Sequence, residues 1–254
     1  MTDATTETAD PEAAAAPRLA YHLTPGEGPT VMFLPGYASD MTGTKATALE
    51  QWAQANGRAY LRFDYAGCGA SEGSFEDQTL VGWRDDVLRL IDTVVEGPVL
   101  LVGSSMGGWI MLMVALARPD RVCGMVGIAP APDFTDWGFS HDEKMTMLQT
   151  GRLERPSGYS DAPMVTTRAF WASGEANRIL IGAIETRVPV RIVHGQMDFA
   201  VAWQRSLRLV ELLRSSDVQV TLIKDGDHRL SREADIALIE RAIEDVSRRC
   251  SLPS

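Results

Sequence analysis

Beyond Arg18 the chain repeats one rhythm: a short, continuously apolar run, then a longer segment whose apolar residues recur every three or four positions. The runs lie at 30–34, 59–63, 98–103, 122–129, 188–193 and 218–223. They lack the in-out alternation of a half-exposed strand, so they predict strands covered on both faces, as in a parallel sheet. The segments 44–55, 80–95, 107–117, 202–213 and 233–248 predict the covering helices. In the second of these Val81, Val87, Leu88, Ile91, Val94 and Val95 share one broad face, and Arg118 and Pro119 close the third. Strands alternating with helices define an α/β fold class with a mostly parallel central sheet and helices on both faces.

The rhythm breaks once. Residues 130–187 are too many for an ordinary crossover. Helical pieces at 143–150 and 165–181 flank a turn-rich stretch at 155–161, which predicts a small cap inserted at about 134–186. It would lie over the carboxyl ends of the strands, where open parallel sheets bind ligands. At the other extreme, residues 1–17 carry Asp3, Glu7, Asp10 and Glu12 among alanines and threonines. Such a stretch has too little apolar surface to offset the entropy of ordering, so a disordered acidic tail is expected before one domain at 18–254.

Composition narrows the possible roles. With 254 residues, 45% hydrophobic and 23% charged, the chain suits one globular domain. The 34 acidic against 24 basic side chains give a net charge of -10, which argues against nucleic acid as a partner. The longest apolar stretches, such as 109–117, fall well short of the roughly 18 residues of a membrane-spanning helix. Cys68, Cys123 and Cys250 are odd in number and show no CxxC spacing, so neither a disulfide framework nor a zinc site is expected. Three free thiols, and a tail with no targeting character, predict a cytoplasmic protein.

The chemistry is carried by Gly103, Ser105 and Gly107, a GxSxG between the run at 98–103 and the helix at 107–117. A sharp strand-to-helix turn would lift Ser105 to the helix N-terminus, where the amide dipoles favour negative charge on a reacting oxygen. A serine hydroxyl needs a base, and the base needs a carboxylate. Of His22, His141, His194 and His228, the last follows the final strand and fits the order serine, acid, histidine. His194 ends its strand and reads as a buried, hydrogen-bonded residue. Asp198, one loop beyond that strand, is the expected acid, and Asp133 is its main rival. Asp225 and Asp227 lie too close to His228 and read as solvated loop residues. The backbone N–H groups of Met106 and Tyr37 are the expected oxyanion donors. Arg229 and Asp64 are candidates for anchoring the catalytic loops. No metal-ligand spacing such as HExxH occurs, and no metal or cofactor is called for.

Beyond the pentapeptide, the segments PGYASDMTGTKA, RFDYAGCGASEG, GSSMGGWIML, ARPDRV, HGQMD and KDGDHRLS resemble the α/β-hydrolase superfamily over nearly the whole folded length. Within it they resemble the subgroup of palmitoyl-protein thioesterases that also cleave acyl glucuronides. The resemblance implies Ser105 as nucleophile, Asp198 as acid, His228 as base, and Tyr37 and Met106 as amide donors. It implies a serine hydrolase that cleaves acyl thioesters or carboxylic esters through an acyl-enzyme, on a small-molecule or acylated-protein substrate. The alternatives are a carboxylesterase or acyl-glucuronide esterase on small oxyesters, and a non-catalytic binding protein on the same scaffold. Trp137, Phe139, Met145, Met147, Phe170 and Trp171 in the cap are candidates for an acyl groove or for cap packing.

Overall fold

The computed structural model describes residues 16–156 and 163–250. The predicted tail therefore lies outside the described residues up to residue 15. Pro17 already belongs to the fold, its carbonyl accepting a bond from Arg89 at 2.7 Å. The turn-rich stretch of the cap falls outside from residue 157 onward.

The strands are β1 (Tyr21–Thr24), β2 (Glu27–Leu34), β3 (Arg58–Phe63), β4 (Val99–Ser104), β5 (Val122–Ile128), β6 (Arg152–Arg155), β7 (Met164–Thr167), β8 (Val190–Gly195) and β9 (Val218–Ile223). The helices are α1 (Thr44–Ala55), α2 (Leu80–Thr93), α3 (Met106–Ala117), α4 (Phe134–Trp137), α5 (His141–Thr150), α6 (Arg168–Ala176), α7 (Gln204–Leu212) and α8 (Glu233–Cys250). Among the described residues, seven strands form the main sheet in the order β1-β3-β2-β4-β5-β8-β9. Every pairing is parallel except β1 with β3. The chain leaves β2 on one side to make β3 and returns on the other to make β4, which opens a crevice at the carboxyl ends of the central strands.

The apolar runs are explained by what covers them. Val31, Phe33, Leu100, Val102 and Val126 face Leu49 and Trp52 of α1 and Ile239, Ile243 and Val246 of α8. Their neighbours Met32, Leu34, Leu101 and Met125 face Trp83 and Val87 of α2 and Ile110 of α3. Both faces of the central strands are thus dry, and each such side chain contributes about 1.5–3 kcal/mol through burial. The edge strand β9 departs from the expectation: its residues alternate between half-buried and exposed, because an edge strand has less to cover it.

Two further expectations are corrected. Cys123 on β5 and Cys250 at the end of α8 form a disulfide, with Cα atoms 5.3 Å apart and a sequence separation of 127. Only Cys68 is a free thiol, and it is buried. A pair so distant in sequence leaves no spacing signature, and the cytoplasmic expectation loses the ground that three free thiols gave it. Secondly, 165–181 is not one helix. Its first residues form β7, which pairs antiparallel with β6 in a hairpin (Arg152↔Thr167 through Arg155↔Met164), and only then does α6 begin.

Candidate active site

Each element of the site is built by local sterics. β4 ends at Ser104, and Ser105 turns the chain into α3 with φ 54° and ψ -118°. This is a left-handed backbone that a residue with a side chain seldom adopts. The turn is tight enough that a Cβ on Gly107 would lie 2.1 Å from the Leu34 carbonyl oxygen, and one on Gly103 would lie 2.5 Å from that of Gly107. Glycine is required at both positions, and the GxSxG spacing follows from the close approach of β2, β4 and α3.

Asp198 follows β8. Its carboxylate is fully buried, and both oxygens are spent: Oδ1 accepts from the amides of Ala200 (2.9 Å) and Val201 (2.7 Å). Oδ2 faces His228 Nδ1 at 2.7 Å and His194 Nε2 at 3.1 Å. Burial alone would raise its pKa, but the bonds from His194, His228 and Val201 outweigh that and hold it well below the usual carboxylate range. Asp198 is therefore an anion.

His228 joins acid and nucleophile. Its Nδ1–H donates to Asp198, which can only accept, so Nε2 is the unprotonated nitrogen and takes the bond from the Ser105 hydroxyl at 3.1 Å. The His228 loop is fixed from three sides. Asp225 pairs with Arg232 at 2.7 Å, Asp227 accepts from the Leu230 amide at 3.0 Å, and Lys45 of α1 donates to the Arg229 carbonyl at 2.5 Å. Asp225 and Asp227 thus shape the loop rather than merely solvating it. The acid and histidine loops are also sewn together, the Met197 amide donating to the Gly226 carbonyl at 2.9 Å.

The remaining candidates fall as follows. Met106 opens α3, and Tyr37 follows Gly36, where a Cβ would lie 3.4 Å from that of Ser105. Among the described residues neither the Tyr37 nor the Met106 amide N–H has a protein acceptor. The Tyr37 ring packs against Phe75, Trp83, Phe134 and Phe170, and its hydroxyl donates to the Val165 carbonyl of β7 at 2.6 Å, pinning the cap. Asp133, the rival acid, accepts from the amides of Ile179 and Leu180 at 2.8 Å each and makes no bond to His228. His22 on β1 pairs with Glu50, and His141 opens α5. Asp64 anchors two loops as expected, accepting from Met41 at 2.7 Å and Ala70 at 2.8 Å. Phe139 and Met147 are buried, and Phe170 is buried against Trp83 of α2 and Tyr37, whereas Met145 and the neighbouring Leu148 are exposed. Burial pushes the Cys68 thiol up to about 12, which leaves it protonated and unreactive at neutral pH.

A parallel sheet with a strained serine at a strand-to-helix turn, hydrogen-bonded to a histidine that is hydrogen-bonded to a carboxylate, defines the class, and the chain belongs to the alpha/beta hydrolase family, whose model matches residues 31–248. It is a hydrolase. It is 40% identical over 234 residues to the human palmitoyl-protein thioesterase ABHD10, mitochondrial, covering 91% of this chain and 76% of that protein. The structure of mouse alpha/beta hydrolase domain-containing protein 10 superposes with a TM-score of 0.87 at 39% identity, covering 94% of this chain and 98% of that one. A putative hydrolase from Agrobacterium vitis S4 superposes with a TM-score of 0.88 at 41% identity, covering 93% and 96%. No described helix is long and apolar enough to cross a membrane.

Proposed function

We propose that this hydrolase cleaves acyl thioesters or carboxylic esters by a serine mechanism, with Ser105 as nucleophile, His228 as base and Asp198 as the orienting acid. The observation that carries the reading is the unbroken chain from Ser105 Oγ through His228 to the buried Asp198. In the first step Oγ forms a bond to the acyl carbon as its proton passes to His228 Nε2, and Asp198 stabilises the imidazolium. The unspent amides of Tyr37 and Met106 receive the negative carbonyl oxygen. The tetrahedral intermediate then collapses, expelling thiolate or alkoxide, which His228 protonates, and leaves Ser105 acylated. Water, deprotonated by His228, returns the enzyme and releases the acid.

The thioester side of the reading is supported by the relatives named palmitoyl-protein thioesterase, with an acylated protein or an acylated small molecule as substrate. A cavity of about 420 Å³ begins at Ala38, one residue beyond Tyr37, between the loops after β2 and β3 and the cap strand β7. Its lining mixes apolar Phe75, Met164 and Val165 with polar Ser39, Asp40 and Ser74, so it could take an acyl chain or a polar leaving group. Initial rates on matched thioesters and oxyesters, from acetyl to palmitoyl, test the reading. Turnover should vanish in Ser105→Ala, and the preferred leaving group separates a thioesterase from a carboxylesterase or acyl-glucuronide esterase. Wild-type rates in Ser105→Ala would refute the serine mechanism, and no turnover on any of these substrates would favour a binding role.

A further inference from the structure

The site contains a second histidine that the mechanism does not use. His194, the next-to-last residue of β8, is fully buried, and each of its ring nitrogens has a partner. Nε2 lies 3.1 Å from Asp198 Oδ2 and 3.0 Å from the Val201 carbonyl oxygen. Both can only accept, so Nε2 carries a proton. Nδ1 lies 2.7 Å from the hydroxyl of Ser206 on α7, itself fully buried. A hydroxyl can donate there, and the Nε2–H is shared between the Asp198 carboxylate and the Val201 carbonyl.

From this geometry we infer that His194, held in one tautomer by Ser206, is a positioning residue for the triad carboxylate. The inference rests on the serine-hydrolase reading and extends the hydrogen-bonded chain to Ser206–His194–Asp198–His228–Ser105. Two amides hold Oδ1 and two imidazoles share Oδ2, so every direction in which the carboxylate could turn is blocked. The bonds at Oδ2 complete what the amides at Oδ1 begin, setting which way the carboxylate faces His228. When His228 takes the proton from Ser105, Asp198 must answer a new cation with its one negative charge. The His194 N–H steadies the carboxylate that makes this answer. Removing the His194 donor leaves Oδ2 with one bond and lets the carboxylate and His228 swing out of line with Oγ.

The test compares His194→Leu, His194→Gln and Ser206→Ala in the full chain, with Ser105→Ala alongside, on whichever ester or thioester the wild-type protein turns over. Leucine fills the space without a donor, while the glutamine amide restores an N–H at a similar reach. His194→Leu should lower kcat by about ten- to a hundredfold with KM nearly unchanged. His194→Gln should recover most of that loss. The far-downfield proton resonance of the His228–Asp198 bond should move in His194→Leu and return in His194→Gln. Ser206→Ala, the gentler change, should give a smaller fall in kcat and move the same resonance, and it decides the matter if His194→Leu does not fold. Wild-type kcat in folded His194→Leu would overturn the inference, as would a glutamine variant no better than the leucine one. If only Ser206→Ala folds, an unchanged kcat and resonance would overturn it. Activity surviving in Ser105→Ala would instead sink the underlying mechanism, so the two failures are distinct.

Discussion

Ser105 sits at a backbone angle that costs about 1–3 kcal/mol, and the bonds from its amide to Ile128 and from the Gly108 and Ala131 amides to its carbonyl hold it there. The flanking glycines leave no room for compromise. Gly107→Ala would drive a methyl group into the Leu34 carbonyl, which should cost about 3 kcal/mol or more and lower Tm together with activity. A variant with wild-type Tm in a thermal melt would show that the turn can relax. Ser105, Asp198 and His228 were legible because their order and placement after strands follow from how any such sheet presents side chains. The use made of His194 was not. Its nearness to Asp198 comes from the curl of one loop, and no periodicity encodes that. Asp133 stood as the rival for a related reason: it has a possible position in the chain for an acid, yet its carboxylate is consumed by backbone amides.

Among the elements, the six parallel strands and their covering helices fell within a few residues of the predicted bounds, since buried strands and one-faced helices write their burial into the sequence, whereas the mostly exposed edge strand β1 has no apolar run to mark it. The cap did not, and Thr167 is the reason. Val165, Thr166 and Thr167 are β-branched and favour a strand. Thr167 then caps the following helix, its hydroxyl accepting from the Phe170 amide at 3.1 Å, so what reads as one helical stretch is a strand joined to a helix. The cap also has an acid-sensitive joint. Ser140 and Glu143 form a reciprocal cap on α5, and Glu143 pairs with Arg155 of β6. The Arg155 guanidinium first, with help from the Ser140 amide, holds the Glu143 carboxyl down to about 2 from the ordinary 4.5. A lowered carboxylate stabilises the fold only while ionised. This contribution is complete above 4.5 and is lost as the pH falls toward 2. Protection factors of the α5 amides, which correct for the intrinsic pH dependence of exchange, should therefore fall across that interval, and in Glu143→Gln they should be low at both ends. An α5 equally protected throughout would remove the joint from the cap's stability.

For the whole molecule, the Cys123–Cys250 bridge ties the last helix to the middle of the sheet. Closing a loop of this length is worth about 5 kcal/mol in the chain-entropy picture, so Cys250→Ser or reduction should lower Tm by about 10 °C or more. A Tm unmoved by reductant would mean that the packing of α8 alone secures it. At this scale the inserted cap has its own point of attachment. The Asp133 carboxylate grips the Ile179 and Leu180 amides, so the chain leaves for the cap and returns from it at one side chain. Beneath that clasp β5 and β8 pair in unbroken register, from Met125 with Val190 to Ile128 with Val193. Beyond the clasp the cap meets the rest of the fold through Tyr37, whose hydroxyl holds the Val165 carbonyl and whose ring packs on Phe170, and through Trp83 and Val81 of α2. A cap of another length that kept the Asp133 clasp and the seat for Tyr37 would leave Ser105, Asp198 and His228 where they stand, so substrate choice and chemistry are separable parts of this scaffold.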